Sequence, residues 1–400
     1  MAHRVVITTM GIQTSLGNDP RSVLENFKSG RTRFQRFQLD PDVVICPVEA
    51  FNLKSLIGRC KNRRYLNKGA AFSVGTAFTT VNSSKLAKRY FKAAGLMVGT
   101  GPNLNIAEEL PRNKTGLIQW QRAPALWMLK FIANTPAALI SQLTGINGES
   151  ISIQTACTAG LQAIGEAFRK IKDGYLDLAL AGAGDSRLSL SAIMAYKKAQ
   201  VLCIPDGAAD QACRPFDKAR SGFACGEGGA FFLLESLEHA RKRNAPILAE
   251  IIGYGASMDA HGMTAPEPDG KLVERAVRAS LKEARISPSM VQMISAHGTG
   301  TKANDATEIK VIERIFGSDG PPITALKSWI GHLSAACGAV ELALTLICLK
   351  NNYWPRIRNL TQPISPNAKF LKKDLKLPVE IVLLQNFGFG GQNCALVIRK

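Results

Sequence analysis

The chain has 400 residues, 46% hydrophobic and 20% charged, which suits two ordinary domains or one large layered body and argues against a disordered or fibrous chain. Its formal net charge of +19 points to an acidic partner, but the basic residues are dispersed, with modest clusters at 28–36, 59–68 and 369–376, and aromatics are only 7%; a dedicated nucleic-acid binder would show a concentrated stripe and a known module. The nine cysteines include no C-x-x-C pair, which argues against a zinc site or disulfide framework and for a reducing cytoplasm, and no apolar run reads as a membrane span.

Residues 4–9 read as a first strand, opening so near Met1 that no signal peptide is expected. A Gly-punctuated turn (11–17), a short helix (20–28) and an irregular basic stretch (31–64) follow. Residues 66–78 predict a helix with small residues, and 95–101 a buried strand ending in a Gly-rich loop. That loop lacks the G-x-G-x-x-G and Lys-Ser/Thr patterns of a phosphate cradle. Residues 102–124 hold no clear period; 136–143 predict a short helix. Residues 150–156 alternate as a strand, and Leu161, Ile164, Phe168 and Ile171 are spaced for a helix. Further strands are predicted at 176–181, ending in Gly-Ala-Gly-Asp, and at 228–234, with a short helix at 237–243. A second series begins at 247–254 and runs through helix 271–285, strand 291–296, helix 303–316, strand 323–326 and a long helix 332–350. Strands 380–384 and 394–399, joined by a Gly-rich turn, close it. Strands alternate with helices in both halves, 1–245 and 246–400, which predicts an α/β fold of mixed sheets covered by helices. No flexible linker separates the halves.

Cys157 falls where the strand turns into the helix. A helix N-terminus offers unpaired N–H groups and a positive dipole end, which favour a thiolate. Taken alone, this cysteine reads more readily as a buried structural residue than as a nucleophile. Of the five histidines, His3 is terminal and His239 lies on a charged helix face. His297 and His332 instead stand beside glycines near the carboxyl ends of predicted strands, where open α/β sheets collect functional groups. Two such histidines with a strand-to-helix cysteine favour nucleophile chemistry: a thiolate takes an acyl group as a thioester, and imidazoles donate to a carbonyl that becomes an enolate or accept a proton. A helix starting at His332 would keep that ring neutral near pH 7.

Four segments carry a resemblance. Thr155-Ala-Cys-Thr-Ala-Gly160, Ala296-His-Gly-Thr-Gly-Thr301, Lys327-Ser-Trp-Ile-Gly-His332 and Asn386-Phe-Gly-Phe-Gly-Gly391 resemble, in order, the signatures of β-ketoacyl-ACP synthases. These KAS II-like elongating condensing enzymes, or ketosynthases, have a thiolase-like fold of two similar halves. Residues 214–228 resemble a further family segment, and 101–135 are the weakest part of the match. The resemblance implies that Cys157 carries an acyl chain and that His297 and His332 bind the malonyl thioester and stabilise its enolate. It also implies that Lys327 pairs with Glu308 to support the histidines, and that the Cys157 and Phe389 N–H groups form an oxyanion hole. The Phe389 ring would gate the acyl pocket, and Thr299 and Thr301 would bond the phosphopantetheine arm. No metal or cofactor is implied beyond the arm that arrives on the carrier.

By the same resemblance the enzyme is a dimer, either with itself or with a chain-length-factor-like homologue. The implied partner is an acidic acyl carrier protein docking on Arg63, Arg64 and Lys68, with no role for nucleic acid or membrane. Several positions depart from the family pattern: Gln200 where relatives often have Arg, Ala159 for Ser, Trp329 for Met, Ala336-Cys337 for Ala-Ala, and His261-Gly262 for an aromatic-His pair. With the divergent 101–135, these suggest polyketide or polyene assembly; the alternatives are housekeeping fatty-acid elongation and a non-elongating acyltransferase. A silent chain-length partner is disfavoured, because such partners lack the nucleophile that Cys157 supplies.

Overall fold

Long apolar runs build the centre of the molecule. In the computed structural model, which describes residues 2–105, 110–205 and 207–400, the strands are β1 (Val5–Gln13), β2 (Gln35–Phe37), β3 (Asp40–Cys46), β4 (Gly95–Gly99), β5 (Ser150–Ile153), β6 (Leu178–Ser186), β7 (Cys225–Ser236), β8 (Ala249–Met258), β9 (Met293–Ser295), β10 (Ile323–Thr324), β11 (Tyr353–Trp354), β12 (Leu375–Lys376), β13 (Ile381–Gly388) and β14 (Gln392–Arg399). β7 is buried along its whole length, as expected of a strand covered on both faces.

The main sheet runs β10-β9-β13-β14-β8-β1-β7-β6-β4-β5. Each half repeats one order from the middle outward: its first strand, then its fifth, fourth, second and third. The pairing sense repeats too: β4 is parallel to β5 and β6, β9 to β10 and β13, and the β6/β7, β1/β7, β13/β14 and β14/β8 pairs are antiparallel. The halves meet where Val5–Ile7 pair with Ala249–Ile251. This is the thiolase-like arrangement of two similar halves, with the sheets joined edge to edge rather than separate.

Helices Lys68–Ser83 and Thr135–Thr144 cover one half, and Lys271–Ala284 the other. Helices Ala159–Lys172 and Cys337–Asn351 pack against each other in the middle. Gly160 and Gly338 allow that approach: a Cβ on Gly160 would meet Ala335 O at 2.9 Å, and one on Gly338 would meet Leu161 Cβ at 2.5 Å. The contact carries the Cys157 turn toward the His332 segment.

The structure differs from the sequence reading in four places. Residues 31–64 hold β2, β3, helix Leu53–Ile57 and a 3-10 turn; β2 is only three residues long, and β3 opens on Asp-Pro-Asp before a continuously buried run, so neither shows a strand's alternation. Gly-Ala-Gly-Asp lies inside β6, where its small residues admit neighbouring backbone. His332 does not open a helix: it follows the short helix Lys327–Ile330 in extended backbone bridged to Cys225, and the long helix starts at Cys337. Finally, Ser334–Asn351 is long and apolar enough to cross a membrane, but 89% of it is buried inside the fold, as in a core helix.

Candidate active site

After β5 the chain turns through Ala156–Thr158 into helix Ala159–Lys172, and Cys157 sits in that turn. Ala156 has φ +51°, a left-handed conformation that costs a side-chain-bearing residue roughly 1–2 kcal/mol. Thr158 holds the turn, its N–H and Oγ1 both donating to Thr155 O at 3.2 and 2.7 Å. Gly388 lies against the Cys157 amide, where a Cβ would stand 3.0 Å from the nitrogen. The Phe389 N–H is directed at the Cys157 sulfur. Burial dominates the thiol and pushes its pKa up to about 11, although the Lys327 charge and the Phe389 N–H oppose it. Helix-end stabilisation, the basis for expecting a thiolate, is therefore outweighed by desolvation, and the group is a thiol at neutral pH.

Both histidines present one ring nitrogen to the protein and leave the other for the cavity. Asn386 Nδ2 and Lys327 Nζ contact His297 Nδ1 at 3.2 and 3.1 Å. His332 Nδ1 accepts the Ser334 N–H at 2.9 Å, with Cys337 Sγ at 3.6 Å. These donors fix the proton of each neutral ring on Nε2. Burial, then the Lys327 charge, holds both rings neutral, lowering His332 to about 3 and His297 well below its ordinary value. The ring centres are 5.8 Å apart and nearly perpendicular, and Phe223 backs His332 at 4.5 Å.

The expected Lys327–Glu308 pair does not form. Lys327, with no exposed surface, donates to Glu341 Oε1 at 2.6 Å, His297 O at 2.7 Å and His297 Nδ1. Each N–H of the ammonium is taken, and the Glu341 carboxylate beside it raises the Lys327 pKa against the effect of burial. Glu308 instead accepts the His297 and Gly298 N–H groups at 2.7 and 2.8 Å and Gln385 Nε2 at 2.7 Å. It buttresses the histidine's backbone, whereas Glu341, on the central helix, is the counter-ion. Burial raises Glu308 to about 7.

A cavity of about 440 Å³ opens above this network, lined by Cys157, His297, His332, Thr299, Thr301 and Phe389. Thr299 and Thr301 are bonded to each other at 2.9 Å. Gln200 also lines the cavity, so the departure from Arg lies at the site itself. Arg63, Arg64 and Lys68 lie apart, in a groove of about 820 Å³ with Lys54, Arg59 and Lys61. Lys68 is less free than expected: it bonds the buried Glu227 carboxylate at 2.6 Å. Arg64 leans over the Tyr65 ring.

Sequence reasoning missed Glu341 and left Asn386 without a role, although Asn386 Nδ2 bonds both Glu341 Oε2 (2.7 Å) and His297. A lone carboxylate in the apolar run 337–349 was the available signal, since a buried charge demands a partner. It also missed the buried Asp185 and Arg187.

Comparison with known proteins agrees with this geometry. The family models described as "Beta-ketoacyl synthase, N-terminal domain" and "Beta-ketoacyl synthase, C-terminal domain" match residues 2–240 and 248–361. The chain is 32% identical to the 3-oxoacyl-[acyl-carrier-protein] synthase 2 of Synechocystis sp., over 99% of this chain and 98% of that protein. Among solved structures, it is similar to the ishigamide ketosynthase/chain length factor (TM-score 0.90, 27% identity, 100% of both chains). It is also similar to a type II PKS acyl-carrier protein in complex with its ketosynthase bound to the hexaketide (TM-score 0.88, 27% identity, 100% of both chains).

Proposed function

The chain belongs to the β-ketoacyl synthase family and is a ketosynthase, an acyltransferase acting with acyl carrier protein; from that premise we propose that it joins an acyl group held on Cys157 to malonyl-ACP by decarboxylative Claisen condensation, releasing β-ketoacyl-ACP. The observation that carries this reading is the pair of imidazole Nε2–H donors turned into the cavity beside a buried thiol, with each Nδ1 occupied.

The Cys157 sulfur attacks the acyl thioester, and its proton leaves with the carrier's thiol. The Cys157 and Phe389 N–H groups receive the oxyanion. Malonyl thioester then binds with its carbonyl oxygen between His297 and His332. Loss of carbon dioxide leaves an enolate, which the two Nε2–H groups stabilise. The enolate carbon attacks the acyl carbonyl, and Cys157 departs as thiolate to be reprotonated. Lys327 donates every N–H it has, so its role is to orient His297, not to act as base. Thr299 and Thr301 bond the phosphopantetheine arm, and no metal or further cofactor enters the scheme.

Two features favour a specialised polyketide or polyene pathway: the likeness to the two solved systems above and the departures at Gln200, Trp329 and Cys337. Relatives named synthase 2 support fatty-acid elongation as the second reading. An acidic carrier protein suits the basic groove around Arg63 and Arg64. β5 ends the sheet with an incompletely buried edge, and Leu117, Trp120 and Leu126 are exposed, which suits a second subunit, either another copy or a chain-length-factor-like homologue. The setting is cytoplasmic, without nucleic acid or membrane. Incubation with acyl-ACP and malonyl-ACP tests the reaction: carbon dioxide and β-ketoacyl-ACP are expected together, and decarboxylation without chain extension would overturn the assignment.

A further inference from the structure

The main chain of His332 is fixed where it bridges to Cys225: its N–H donates to Ala224 O at 2.7 Å, and its carbonyl accepts the Gly226 N–H at 2.9 Å. The ring can still turn about its own bonds, and the ring decides where Nε2–H points. Two contacts hold it. The Ser334 N–H donates to Nδ1 at 2.9 Å, and the Phe223 ring lies against the imidazole with centres 4.5 Å apart. Cys337 Sγ adds a longer contact to Nδ1 at 3.6 Å.

One side chain stands behind both contacts. Tyr196, on helix Leu190–Lys198, packs edge-on to Phe223 with ring centres 5.4 Å apart, and its hydroxyl is bonded to Ser334 Oγ at 2.8 Å. Ser334 needs such a tie: its N–H turns back to a side chain two residues earlier from a backbone with φ +48°, a left-handed conformation unfavourable for any residue with a Cβ. The next residue is anchored separately, the Ala335 N–H donating to Asp185 Oδ2 at 3.0 Å, so the segment keeps a hold if the hydroxyl is lost. Tyr196 lines the Cys157 cavity, but its hydroxyl is committed to Ser334 and acts on the histidine's support. A bond into Nδ1 orients the ring and keeps its proton on Nε2. Loosening that bond weakens enolate stabilisation, which the transfer of an acyl group to Cys157 does not need.

Resting on the reading of His332 as an enolate donor, we propose that Tyr196 is a positioning residue for decarboxylation: through Ser334, its hydroxyl holds the His332 ring with Nε2–H turned into the cavity.

The test compares the full-length parent with Tyr196→Phe, Ser334→Ala and the double variant. Carbon dioxide release from malonyl-ACP and butanoyl loading of Cys157, by intact-protein mass spectrometry, are measured side by side. In Tyr196→Phe the ratio of decarboxylation to loading should fall about tenfold. Ser334→Ala should do the same, and serves if Tyr196→Phe does not fold; the double variant should be no worse than the more affected single, because all three lose one bond. In histidine-15N-labelled protein, with His332→Ala giving the assignment, the Nδ1 resonance of His332 should move toward that of an unbonded imine nitrogen in each variant. An unchanged ratio in a folded single variant overturns the proposal, as does a fallen ratio with the His332 resonances unmoved. A parent that loads butanoyl but releases no carbon dioxide from malonyl-ACP overturns the enolate-donor reading and the proposal with it.

Discussion

Replacing Glu341 by Gln keeps the side chain's size but removes the counter-ion of Lys327. Lys327 has no exposed surface, and its 2.6 Å bond to Glu341 is its only salt bridge among the described residues. The new amide can accept from Lys327 with its oxygen, but its NH2 then faces Asn386 Nδ2, a donor now 2.7 Å from Glu341 Oε2. Removing one partner of a buried pair costs about 3–5 kcal/mol, and the lost bond to Asn386 adds to this. Guanidinium unfolding monitored by tryptophan fluorescence should therefore give a loss of about 3–5 kcal/mol for Glu341→Gln. The Lys327→Met/Glu341→Leu pair should be less destabilised than the sum of its single changes, because the double change leaves no orphan charge. A Glu341→Gln variant within about 1 kcal/mol of the parent, with additive singles, would refute the network described here.

His332→Ala should slow malonyl-ACP decarboxylation by about a hundredfold or more and acyl loading far less, measured by carbon dioxide release and protein mass respectively; equal losses would contradict the division of labour between His332 and Cys157. Alkylation of Cys157 by iodoacetamide should quicken about tenfold per pH unit above neutrality and level off near pH 11, because the raised pKa leaves mostly thiol below it; a plateau near neutrality would mean a thiolate. The two histidines are held neutral when folded but protonate when unfolded near 6.5, so their share of the stability is present above that pH and is lost as pH falls below it, for His332 down to about 3, seen as a falling Tm. Glu308 acts in the opposite sense: raised to about 7 from 4.5, its contribution is full below 4.5 and is lost as pH rises through 7.

The sequence makes some of this legible and hides the rest for physical reasons. Cys157, His297 and His332 stand at element boundaries beside glycines, and such positions can be read from pattern. The α/β class follows from apolar periodicity. The identity of Lys327's partner cannot be read locally: neither Glu308 nor Glu341 is a close neighbour in sequence, and only the packing of helix Cys337–Asn351 brings Glu341 to the ammonium. The thiol character of Cys157 was likewise hidden, because helix-end geometry is local and visible whereas desolvation comes from every element packed around the turn. The Asp185–Arg187 pair sits in a stretch that reads simply as the end of a strand, and its burial depends on Gly101 and Ala335 from distant segments.

The central claim is that Cys157 carries the acyl group. Intact-protein mass spectrometry after incubation with butanoyl-ACP tests it most directly. The parent should gain one butanoyl mass, with the modified peptide containing Cys157, and Cys157→Ala should gain none. A Cys157→Ala variant acylated as readily as the parent would contradict the account.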